Sequence, residues 1–222
     1  MIFTVFGYSF SVASMRETGN APAKPYHHGD LSRALVDAAR RILEAEGPQA
    51  LSLRAVAREA GVSPAAPYHH FKDKGELMKA IAHEGWDELG EQMQQALAEA
   101  KTSDERRTSM GLAYVKFAQA NPALYRVMGD VNRSYDHDGK SMEEDESSAY
   151  GFVQRSIASG THGQASDLDV ELATIAAWCA AHGLAELSSF PQFKRLKTEL
   201  GGEEAFIRAV LDHLGMFAKS QH

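Results

Sequence analysis

Apolar residues recur at three- and four-residue intervals along most of this chain, and no stretch alternates with period two. That pattern predicts an all-α protein. Asp30 is placed to cap a first helix with Leu31, Leu35, Ala38, Ile42 and Leu43 on its inner face, and Gly47-Pro48 stops it. Ser52 caps a short second helix that turns Leu53, Val56, Ala57 and Ala60 inward. Ser63 caps a third, Ser63 to His70, with Pro64 at the first position, where a missing N–H costs nothing. Asp73 and Glu76 have capping-box spacing and open a long fourth helix striped by Leu77, Ile81, Leu89, Met93 and Ala96. Further helices are predicted over 103–120, from Pro122 to about Met128, and over about 148–160, 166–188 and 203–219. Ser166 and Asp169 cap the second last of these. The polar, acid-rich run 131–148 reads as a mobile loop.

The second and third helices form a helix-turn-helix pattern. Ala57 is small where two helices must touch, Gly61 tolerates positive φ at the turn, and Val56, Ala60 and Val62 fill the space between. The third helix carries a second proline, Pro67, which has no N–H to return to the Ser63 carbonyl and biases Ala66 away from α. The first turn is therefore expected to tighten toward 3₁₀. Ser63, Pro64, Ala65 and Ala66 would present a stiff tip with methyl and ring surface and few hydrogen-bonding groups. Base readout would fall to His69, Arg54 and the N-terminal arm, with DNA shape contributing. Packing of Pro67 within the domain is the other reading of that residue.

Charge divides the chain. The net charge is −7, from 23 Lys+Arg against 30 Asp+Glu. Residues 1–75 hold nine basic and seven acidic residues (+2), leaving 23 − 9 = 14 and 30 − 7 = 23 (−9) for the rest. A mildly basic front and an acidic rear point to two modules with different partners. The first fifteen residues are uncharged and lack the basic flank of a secretory signal. They read either as a disordered tail or as residues ahead of a start at Met15. Residues 16–29 read as a weakly basic arm. No membrane span is expected, and a single cysteine, Cys179, suits a reducing, cytoplasmic setting. Asp136 to Gly139 lacks EF-hand spacing, so no metal site is expected. With no nucleophile elbow, phosphate loop or metal cluster, no enzyme and no cofactor is expected.

The segments LVDAARRILEAEG, LSLRAVAREAGVS and PYHHFKDKGELM, within residues 31–78, resemble the N-terminal DNA-binding domain of the TetR family of transcriptional regulators. The resemblance implies phosphate contacts by Ser52, Arg54 and Tyr68, a recognition helix over Ser63 to His70, and a backbone clamp by Lys74. Pro67 departs from it, since the family usually has a branched aliphatic there. In the rear, Gly111 to Met128 and Thr174 to Phe190 resemble a subgroup of TetR-like C-terminal domains marked by Trp, His and Gly, here Trp178, His182 and Gly183. Trp178 and His182 share a helix face. They either belong to the core or line a cavity with Tyr114, Phe117, Tyr125, Met128 and Phe152, suited to a small hydrophobic or aromatic effector. The small-sided helix bearing Ala176, Ala180, Gly183 and Leu187, with Val210, Leu214 and Phe217, fits a four-helix homodimer interface or intramolecular packing of the last two helices.

The expected organisation is a disordered arm (1–29), a DNA-binding domain (30–78) and an effector-binding and dimerisation domain (79–222). The expected function is a ligand-responsive repressor on a near-palindromic double-stranded operator. The alternatives are a DNA-binding regulator controlled by a protein partner and, remotely, a helical enzyme.

Overall fold

The computed structural model describes residues 28–134, 149–161 and 163–214, and among these every regular element is helical. The long helices are α1 (His28–Glu46), α3 (Lys74–Glu99), α4 (Ser103–Ala120), α5 (Pro122–Ser134), α6 (Ala149–Gly160), α7 (Asp167–Ser188) and α9 (Glu203–Leu214). Shorter pieces are α2 (Leu53–Glu59), α8 (Lys194–Leu200) and the 3₁₀ turns Ala66–His69 and Pro191–Phe193.

Local chemistry sets most boundaries. Ser52, Asp73, Thr102 and Ser166 each accept a hydrogen bond from the backbone N–H three residues on. Each such cap contributes about 1 kcal/mol. Thr102 with Glu105 and Ser166 with Asp169 form full capping boxes. The Asp73 box is half formed: Asp73 accepts from Glu76 N–H at 3.0 Å, and the Glu76 carboxylate pairs with Lys79 instead. After α2 the chain turns through Gly61 (φ +70°). Val62 N–H reaches the Ala57 carbonyl at 2.9 Å and Gly61 N–H reaches Arg58 at 3.2 Å, the two bonds of a Schellman motif.

Some boundaries differ from expectation. The first helix starts at His28, so Asp30 lies inside its first turn and the arm ends two residues early. Residues 1–27 lie outside the described residues. The fifth helix continues to Ser134, through the start of the expected loop, and 135–148, with Asp136 to Gly139, lie outside them too. The final helix is described to Leu214, which leaves Phe217 outside. α8 has no counterpart among the helices expected from the sequence.

One continuous core joins front and rear. In the front, Leu35, Val36, Ala39 and Leu43 of α1 pack with Leu53 and Val56 of α2 and with Phe71. α3 then carries Leu77, Ile81, Leu89 and Met93 into the rear, where it packs against α4, α5 and α6. α7 covers α4 and α6, and α9 closes over α4. Arg40 of α1 pairs with Glu88 of α3 at 2.9 Å, while α1 also meets α5. The front module thus rests directly on two rear helices.

Candidate nucleic-acid interface and rear-domain sites

The second helix-turn-helix element is a single 3₁₀ turn, Ala66–His69, in place of an α-helix from Ser63 to His70. Pro67 explains it. An α-turn would need its N–H on the Ser63 carbonyl. That carbonyl instead takes Ala66 N–H at 3.0 Å, Ala65 takes Tyr68 N–H at 3.1 Å, and Pro67 takes His70 N–H at 3.0 Å. Ser63 thus holds the turn with its carbonyl, and the expected side-chain cap is not formed. Pro67 is itself buried. Packing and tightening coexist.

Around this turn, Ser52, Arg54, Ser63, Pro64, Ala65, Tyr68, His69 and Lys74 are exposed and Ala66 is half-buried. Among the described residues of the front module, Tyr68, at 53% exposure, is the large apolar side chain left open to solvent. Two helix N-termini, at Leu53 and Lys74, belong to the same region, and their N–H groups favour phosphate oxygens. Lys74 is already engaged: its Nζ donates to the Pro48 carbonyl at 2.8 Å, tying α3 to the α1–α2 connection.

In the rear, Tyr114, Tyr125, Trp178 and His182 come together. The Tyr114 hydroxyl lies 2.7 Å from His182 Nδ1 and 3.4 Å from the Tyr125 hydroxyl. The Trp178 ring meets Tyr114 at 5.7 Å and His182 at 5.7 Å. Burial pushes the Tyr114 hydroxyl well above its ordinary range, with the hydrogen bond to Tyr125 adding to it, and raises the Tyr125 hydroxyl too, so Tyr114 serves as a neutral hydrogen-bonding group. Two members were missed: Trp86 of α3, 5.4 Å from the Trp178 ring, and Tyr150 of α6, 5.8 Å from it. Trp86 stands one α-helical turn before Gly90 and two before Met93, a same-face relation visible in the sequence. Met128 instead packs against Gly85, Phe117 is buried in the core, and Phe152 is half-buried. The cluster is filled: the cavity bordering Tyr114 and Trp178, also walled by Met93, Met110 and Val153, measures about 20 Å³. That is room for one water.

A larger space lies elsewhere. An open groove of about 700 Å³ runs between the C-terminal half of α3, α4 and α9, with Gln92, Ala96, Leu112, Lys116 and Arg208 among its walls.

α7 has apolar residues on two faces. Val170, Thr174, Ala177, Ala181 and Leu184 are buried. Opposite them Leu168, Leu172, Ile175 and Leu187 are 44–63% exposed at helical spacing, and Ala176 and Cys179 are exposed with them. Ala180, Gly183 and Val210 are half-buried, and Leu214 is exposed. Ala176, Ala180, Gly183 and Leu187 of this seam were expected from the sequence; Leu168, Leu172 and Ile175 were not.

Among the described residues no group of three or more His, Cys, Asp or Glu could hold a metal ion, and no helix is long and apolar enough to cross a membrane.

Comparison with known proteins bears on both modules. Residues 35–81 match the family described as bacterial regulatory proteins, tetR family. Residues 108–214 match the tetracyclin repressor-like C-terminal domain. A solved protein of unknown function from Rhodococcus sp. RHA1 is 30% identical, with a TM-score of 0.66 over 86% of this chain and 97% of that one. A regulatory protein in the tetR family from Rhodococcus RHA1 is 24% identical, with a TM-score of 0.60 over 86% and 98%. A TetR family transcription regulator from Marinobacter aquaeolei VT8 shares the fold at 17% identity, with a TM-score of 0.59 over 82% and 92%. No curated protein sequence matches the chain.

Proposed function

Since this chain belongs to the TetR family of bacterial regulatory proteins, we propose that it is a homodimeric, ligand-responsive repressor acting on a near-palindromic operator in the cytoplasm. The observation that carries the reading is the exposed edge formed by Ser52, Arg54, Tyr68, His69 and Lys74 around a proline-stiffened 3₁₀ turn. Arg54, Tyr68 and Lys74 supply phosphate contacts, and the Pro64–Ala65–Ala66 tip offers methyl and ring surface to the major groove. His69 and the arm before α1 add polar readout.

The exposed leucine seam of α7, with Ala176, Ala180, Gly183 and Leu187, joins two copies, and Val210 and Leu214 extend the interface. Two copies would set their heads about one helical turn of DNA apart. The domains meet near residue 78, inside α3, which makes that helix the mechanical link. Trp178, His182 and Gly183 of the rear module match the Trp-His-Gly set of the subgroup it resembles. An apolar or aromatic effector opens the Trp178–Tyr114–His182 cluster and releases DNA. It must bind the released state more tightly than the DNA-bound state for this to happen.

A second reading has support in the filled cluster: a cavity of about 20 Å³ fits a regulator controlled by a protein partner. Nuclease footprinting on DNA flanking the protein's own gene tests the shared part of both readings. Two protected half-sites about one turn apart are expected. Uniform cleavage at saturating protein would remove both.

A further inference from the structure

The stretch from Pro64 to Pro67 has almost no means of forming a hydrogen bond with a partner. Its side chains are two proline rings and two methyl groups. Pro64 and Pro67 have no N–H. The Ala66 N–H is spent on the Ser63 carbonyl at 3.0 Å. The Ala65 carbonyl takes Tyr68 N–H at 3.1 Å, and the Pro67 carbonyl takes His70 N–H at 3.0 Å. That leaves Ala65 as the single possible backbone donor of the four. Pro64 and Ala65 are exposed and Ala66 is half-buried, while Pro67 is buried beneath them. Exposed side chains that can hydrogen-bond stand at either end, Ser63 before the stretch and Tyr68 and His69 after it.

A surface of this kind cannot tell base pairs apart by their pattern of donors and acceptors. The apolar group that a base pair offers in the major groove is the 5-methyl of thymine. We propose that the Pro64–Ala65–Ala66 surface reads pyrimidine 5-methyl groups: where a half-site passes beneath it, thymine is favoured over an unmethylated pyrimidine, and 5-methylcytosine over cytosine. The inference rests on the regulator reading and names what this edge selects. Stiffness supports it. A 3₁₀ turn with a proline on either side of Ala65 and Ala66 has little freedom left to lose on docking, so the small gain from one methyl is not consumed in ordering the tip. Ser63, His69 and Arg54 stand outside the stretch, and any hydrogen-bonded readout by them does not depend on the 5-methyl.

Fluorescence anisotropy of the full chain on the footprinted duplex tests this, with thymines exchanged one at a time for uracil and cytosines for 5-methylcytosine. Each exchange keeps the base pairing and changes only the 5-methyl. One or two positions per half-site are expected to respond, each by about fourfold, the ratio that about 0.8 kcal/mol per buried methyl gives. Changing both half-sites together should give about fifteenfold. Ala65→Gly or Ala66→Gly should bring the ratio of methylated to unmethylated duplex towards one at a responding position. Ala65 has φ −85° and ψ −23°, which glycine also adopts, and any loosening of the turn cancels because the ratio compares two duplexes with one protein. Lys74→Ala, which acts on phosphates, should weaken both duplexes and leave the ratio unchanged. A duplex preferred over scrambled DNA yet indifferent to every exchange would overturn this inference and leave the regulator reading standing. A methyl preference untouched by both glycine variants would also overturn it. No preferred duplex at all would remove both.

Discussion

Gly85 sits where α3 crosses α5, and replacing it with alanine pits helix propensity against packing. A Cβ at this position would lie 2.7 Å from Met128 Sδ, 3.1 Å from Met128 Cγ and 3.1 Å from Leu124 Cδ1. Ordinary contact begins near 3.4 Å, so the methionine must give by several tenths of an ångström. It has nowhere to go: Met128 is 0% and Leu124 1% exposed. Overpacking of this kind costs about 1–3 kcal/mol. Removing a glycine from a helix interior returns about 1 kcal/mol. The net expectation for Gly85→Ala is a loss of up to about 2 kcal/mol, or up to about 8 °C in Tm for a chain of this size. Urea denaturation followed by circular dichroism reads it directly. The double variant Gly85→Ala/Met128→Ala supplies the cycle: relief of the clash predicts that it loses less stability than the sum of the two single losses. A Gly85→Ala protein about 1 kcal/mol more stable than the parent, as for a glycine facing open space, would refute the reasoning.

Three more outcomes follow from the same geometry. Lys74→Ala should lower the salt slope of DNA binding by about one unit without changing sequence preference, with a small fall in Tm from the lost bond to Pro48; altered preference at an unchanged slope would contradict the phosphate role. Glu84→Gln should raise Tm at pH 7, because desolvation, with Asp37 adding to it, holds the Glu84 carboxyl above its ordinary range; a raised folded value penalises the folded state above it and ceases to do so as pH falls through it, so the gain should fade in acid, and a gain independent of pH would contradict the cause. Ile175→Glu, on the exposed seam of α7, should yield a folded monomer by sedimentation velocity; an unchanged dimer would place the interface elsewhere.

Much of the fold was legible because its signals are local. A side-chain oxygen three residues before its N–H partner needs no tertiary information, so Ser52, Asp73 and Ser166 were found from spacing alone. The Pro67 effect was legible for the same reason, though the outcome went further than a tightened first turn. The missed α8 is different. It is seven residues long and follows Pro191. It is held from outside: Lys197 donates to the Ser188 carbonyl, pairs with Glu203 at 2.6 Å and lies over the Phe206 ring. None of these contacts is local enough to read. The rear site behaved likewise. Trp178 and His182 share a face by helical geometry, and Tyr114 was within reach of inference. Which aromatic residues of α3 and α6 cross them depends on helix packing, so Trp86 and Tyr150 escaped. The groove beside Arg208 escaped for the same reason, since α9 lies far along the chain from α3 and α4.

The central claim is that the exposed edge around the 3₁₀ turn reads specific DNA. Fluorescence anisotropy tests it most directly, using a labelled duplex from around the protein's own gene against a scrambled duplex of equal length, at two salt concentrations. The account predicts tighter binding to the native duplex, with the preference retained as salt rises, because base contacts survive the screening that weakens phosphate contacts. Equal affinity for both duplexes, vanishing together at the higher salt, would contradict it.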